Sequence, residues 1–124
     1  MSDDDGRTAE DLFAGSPEGL ALHDAVAAAV AELGEHEVRV SRTQVTFRRP
    51  RRGFAYVWPP DRVGHHEAPA VLSVALPRRL PSERFRDVAQ PRANLWMHHL
   101  WLTDVAQVDD EVRDWLAEAY DAAG

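Results

Sequence analysis

The stretch that most constrains this chain is Thr43 to Trp58, TQVTFRRPRRGFAYVW, two alternating apolar runs on either side of an arginine-rich turn. Val45 and Phe47 alternate with Thr46 and Arg48, and Phe54, Tyr56 and Trp58 alternate with Ala55 and Val57. That period of two is the mark of half-buried strands. Pro50 suits a turn because it donates nothing to a ladder, and Gly53 tolerates the positive φ that often closes such loops, so the stretch reads as a hairpin. Arg49, Arg51 and Arg52 then lie at its tip beside Arg48.

Around this hairpin the remaining elements follow in order. Thr8 with Asp11 resembles a capping box for a short helical turn. Ser16 caps a longer helix with Pro17 at its first position and Gly34 at its end. Leu22, Val26, Val30 and Leu33 form one face of that helix. Val38 and Val40 mark a strand, with a break at Ser41-Arg42 before the hairpin. Trp58-Pro59-Pro60 stops the third strand, and 61–69 is a loop. Ala70 to Leu76 is a fourth strand, and Ser82 is read as capping a short helix through Val88 with Phe85 and Val88 inward. Pro91 and Asn94 mark a turn before a fifth strand, Asn94 to Leu102. The last element is an amphipathic helix whose stripe is Val108, Val112, Trp115, Leu116, Ala119 and Tyr120.

With 124 residues and no strand-helix-strand alternation, the chain reads as one α+β domain over 8–124, preceded by a disordered lead at 1–7. About five mostly antiparallel strands are expected, with the N- and C-terminal helices packed on one face. The start carries no apolar run of signal type and no apolar stretch approaches a membrane span, so the expected location is cytoplasmic, with no membrane partner.

In this order the segments Leu12 to Glu18, Arg42 to Phe47, Phe54 to Val57, His98 to Leu102 and Asp109 to Leu116 resemble a bacterial family catalogued as domain of unknown function 5655. The resemblance covers about residues 8–123. It implies a one-domain α+β fold and transfers no catalytic residue.

Charge is unevenly placed. Residues 1–37 carry net −9, residues 38–103 net +8 and residues 104–124 net −6, giving −7 overall. All 14 basic side chains are arginine, a usage that suits bidentate anion capture and equally follows from codon bias. There is no cysteine, which excludes disulfides, thiolate metal sites and cysteine nucleophiles. Metal would then fall to the histidines, His65-His66-Glu67 in a loop and His98-His99 in a strand. Neighbouring strand residues face opposite ways, so His98 is expected to be hydrogen-bonded in the core with His99 on the open face, and no metal or other cofactor is expected.

No nucleophile elbow, P-loop or dinucleotide fingerprint is present, so the residues favour a binding module over an enzyme. A triad assembled in space around the strand serine Ser73 is left open. The binding reading places an anionic ligand or acidic protein partner on Arg48, Arg49, Arg51 and Arg52 with Tyr56 and Trp58 beside them. The second reading is nucleic acid at the same hairpin, by arginine contact and base stacking, opposed by the acidic flanks. His99 and Trp101 mark a further possible site on the open sheet face, where exposed aromatics would also serve weak self-association.

Overall fold

The computed structural model describes residues 7–60 and 68–124. The lead expected at 1–7, apart from Arg7, lies outside them, as does 61–67 with His65 and His66. Thr8 caps α1 (Ala9–Leu12) in a reciprocal box with Asp11, and Ser16 accepts from Gly19 N–H at the start of α2 (Pro17–Ala31). A six-stranded sheet follows: β1 (Glu37–Val40), β2 (Val45–Arg48), β3 (Gly53–Trp58), β4 (Ala70–Leu76), β5 (Asp87–Arg92) and β6 (Leu95–Leu102). A 3-10 turn (Val105–Gln107) leads into α3 (Asp110–Ala122). The order across the sheet is β1-β2-β3-β4-β6-β5, with every neighbour antiparallel. This is the α+β domain expected, with one strand more.

The extra strand replaces the helix read from Ser82 to Val88. Ser82 Oγ instead accepts from Arg84 N–H at 3.2 Å in a local turn, and Asp87–Arg92 folds back on β6 through a turn where Asn94 takes φ 62°. Pro91 is tolerated because β5 is an edge strand and needs no outward donor. Phe85 is buried as expected, and Val88 packs against the core.

One face of the sheet is dry. Val40, Val45, Phe47, Ala55, Val57, Leu72, Val74, Leu76, Leu100 and Leu102 meet Leu22, Val26 and Val30 of α2 and Val112, Trp115, Leu116 and Ala119 of α3 in one core. The helices therefore lie together on this face. Phe54 belongs to it too, because a bulge between Phe47 and Arg48 shifts the register. Phe54 is fully buried, with its ring edge-on to Tyr120 at 5.4 Å. The alternation that grouped Phe54 with Tyr56 and Trp58 is thus broken at the bulge.

Two glycines are required by close approach. Gly34 has φ 137°, and a Cβ there would stand 2.6 Å from the Tyr120 hydroxyl, which itself donates to Glu35 O. Gly53 does not have the positive φ expected of it. A Cβ at Gly53 would lie 2.5 Å from the Tyr56 hydroxyl, so space for a side chain three residues along is what selects glycine. No helix among the described residues is long and apolar enough to cross a membrane.

Candidate functional site: a groove on the uncovered sheet face

No helix among the described residues packs on the other sheet face, and strand pairing decides what it displays. Cross-strand partners share a face, so Thr46 and Tyr56, Tyr56 and Ser73, Ser73 and His99, and His99 and Asp87 form one row across β2, β3, β4, β6 and β5. Trp58, Val71 and Trp101 form the next. Arg39 and Arg48 reach the same face, paired with Thr46 and Glu37.

Two cavities that share Gln44 and Tyr56 run together along this face. One, of about 490 Å³, is lined by Arg39, Arg42 and Arg48 with Ser41, Thr43 and Thr46. The other, of about 320 Å³, is lined by Trp58, Ser73, Met97 and His99. The β1–β2 turn shapes the first, since Ser41 Oγ accepts from Thr43 N–H and Gln44 N–H, both at 3.2 Å. That hydroxyl holds the loop carrying Arg42, Thr43 and Gln44 against the sheet. A further cavity of about 590 Å³ mixes Arg79 and Arg86 with Glu83 and Asp87, a weaker field for an anion than the arginine-only end of the groove.

The arginines expected at the hairpin do three different things. Arg48 lines the groove; its Nε is 4.0 Å from Glu37 Oε1, too long for a hydrogen bond, and is buried without an acceptor. Arg49 is structural, lying 4.1 Å over the Tyr120 ring and donating to Tyr120 O at 3.1 Å. Arg51 is exposed at the tip, and Arg52 is half-buried with its Nε unpartnered. Burial raises the Tyr56 pKa above its ordinary value, while the positive charges of Arg48, Arg52 and Arg92 oppose the rise. The structure thus joins Arg48 to Tyr56 and, through the groove, to Trp58 and His99. It turns Arg49 away to the helices.

Trp101 lies in the neighbouring row with the Arg86 guanidinium 4.4 Å above its ring, outside the groove lining. His98 and His99 separate as strand neighbours should. His98 is fully buried, donating from Nδ1 to Val74 O at 3.2 Å and accepting from Leu80 N–H at Nε2 at 3.0 Å. It is a satisfied core histidine. Among the described residues no group of three or more His, Asp or Glu is arranged to hold a metal ion.

Sequence reasoning could not find the contacts of His99. Its Nδ1 lies 2.7 Å from Ser73 Oγ, which also accepts from Trp58 Nε1–H at 2.9 Å. The indole N–H fills one lone pair of the hydroxyl, and the direction of the second hydrogen bond, to Nδ1, follows the tautomer of His99. Burial lowers the pKa of His99 and Asp87 partly opposes it. A Ser-His-Asp row is therefore present in space, but Ser73 is 3% exposed and its oxygen is held by the indole. A nucleophile needs a free approach to that oxygen. Ser73 serves instead to orient His99, whose Nε2 has no partner among the described residues.

The sequence pattern of the domain of unknown function DUF5655 matches residues 9–123, nearly the whole chain. The chain belongs to the DUF5655 family. No curated protein and no solved structure matches it. The open-face groove of this DUF5655 domain therefore has to be interpreted from its own chemistry.

Proposed function

We propose that this DUF5655 domain is a small binding module that captures an anionic ligand in the open-face groove. The observation that carries the reading is the convergence of Arg39, Arg42 and Arg48 on one cavity with no acid among the described residues of its lining. Arg39 has only a 3.7 Å approach to Glu37, and the Arg48 Nε is desolvated without an acceptor. A phosphate or carboxylate oxygen suits the guanidinium groups that line the cavity, and charge-assisted hydrogen bonds of this kind are among the stronger ones in proteins. The hydroxyls of Ser41, Thr43 and Thr46 add neutral polar groups beside them. Long polyanions are disfavoured, because residues 1–37 and 104–124 carry net −9 and −6.

Titration with inorganic phosphate at low salt, followed by amide NMR, tests this. The amides of Arg42, Thr43, Gln44 and Arg48 should move together and saturate, and Arg42→Ala with Arg48→Ala should weaken binding at least about tenfold. Silence at these amides would sink the reading. Should a single-stranded oligonucleotide alone move them, with a steep salt dependence, nucleic-acid binding at this face takes its place.

A further inference from the structure

The groove does not end at the arginines. Beyond Gln44 and Tyr56 it continues into a space of different character, walled by Trp58, Met97 and His99. That space has the composition of a small-molecule pocket, apolar and aromatic walls with few converging polar groups. Its volume of about 320 Å³ exceeds the ~150 Å³ that holds a benzene-sized ring, leaving room for one or two fused rings.

Two of its walls are fixed. The Trp58 indole is pinned by its hydrogen bond to Ser73, and the same hydroxyl pins His99. The two rings stand at 85° to each other with centroids 6.2 Å apart. A flat group lying on one of them presents its edge to the other. His99, whose Nε2 has no partner among the described residues, and Gln44, whose amide has only a 3.4 Å contact to Thr46, line the same space. Aromatic stacking on one plane with hydrogen bonding at the perpendicular edge suits a heteroaromatic ring.

We infer that the groove takes a flat heteroaromatic ring joined to an anionic group, a ligand of the mononucleotide class. Its anion lies on Arg39, Arg42 and Arg48, and its ring lies among Trp58, Met97 and His99. This rests on the anion-binding reading above and adds the second half of the ligand. His99 contributes as a hydrogen-bonding recognition group, and Ser73 and Trp58 are positioning residues that set its ring.

Calorimetric titration of the intact protein with adenosine monophosphate, uridine monophosphate, ribose phosphate, adenosine and inorganic phosphate separates the two claims. At least one mononucleotide should bind about tenfold or more tightly than ribose phosphate. Met97→Ala and His99→Ala should each reduce that preference while leaving phosphate affinity unchanged, since both residues line only the second cavity. The Met97 variant shortens a half-buried side chain on the open face and guards against misfolding of the other. Equal affinities for the mononucleotides and ribose phosphate would overturn the ring inference and leave anion capture standing. Binding of none of the phosphate-bearing probes overturns anion capture, and this inference with it. Adenosine binding as tightly as its monophosphate overturns the joined ligand.

Discussion

Two adjacent histidines on β6 show how much one residue of offset decides. His98 is held neutral, since Nε2 accepts from Leu80 N–H and protonation there would replace an acceptor with a donor. Burial is the main cause of its lowered pKa, with backbone hydrogen bonds opposing. In the unfolded chain it takes a proton near pH 6.5. Between there and the lower folded value the unfolded state binds more protons, so stability is complete above about pH 6.5 and is lost as pH falls. The slope is at most about 1.4 kcal/mol per pH unit from His98, with His99 adding in the same sense. Denaturation midpoints from pH 7.5 to 5 should fall accordingly, and the His98 ring resonances should titrate below 6.5; titration at or above it would contradict the assigned tautomer. Strand alternation alone puts His98 inward and His99 outward. The link from His99 to Ser73 spans 26 residues and depends on β4 pairing with β6, which no local pattern reveals.

At the scale of elements, α3 is the best-anchored helix. Asp109 accepts from Val112 N–H at its start, and this bond, with Arg84 adding to it, holds the Asp109 carboxyl below the usual range. Trp115 is 7% exposed, with its ring centroid 4.6 Å from Phe85. Trp115→Ala should therefore cost roughly 3–5 kcal/mol, and thermal melting of that variant at the parental temperature would contradict the packing. This helix is readable from its apolar stripe because a 3.6-residue period needs no partner to be visible. β5 is not. Asp87, Gln90, Pro91 and Arg92 offer no alternation, and the strand exists because β6 presents it with an unpaired edge. The Gly53 space requirement and the turning inward of Phe54 were hidden for a related reason, since both follow from the bulge.

Across the whole molecule, the positive middle and negative ends of the chain resolve into two populations of arginine. On the helix side Arg78 forms a bidentate pair with Glu118 at 2.7 and 2.8 Å, and Arg84 reaches Asp109, Glu111 and the Gln107 carbonyl. On the open side Arg39 and Arg48 approach Glu37 alone among the acids of the described residues, at 3.7 and 4.0 Å. Part of the charge asymmetry thus serves to tie α3 to the sheet, and the remainder is displayed on the groove. Arg84→Met keeps a stem over Trp115 but removes the charges, and should cost on the order of 1 kcal/mol at low salt, shrinking toward zero in 1 M salt. Denaturant midpoints at the two salt concentrations check this; a cost indifferent to salt would assign the effect to packing.

By itself the sequence determined the α+β class, the capped helices, the hairpin and the separation of His98 from His99, because each depends on periodicity or capping within a few residues. Tertiary structure decided which arginines are displayed, that Arg49 belongs to Tyr120, and that Trp58, Ser73 and His99 meet. Those outcomes depend on strand order and on a one-residue bulge. Long-range pairing is set by the packing of the whole core, so it leaves no signature in any one stretch of chain.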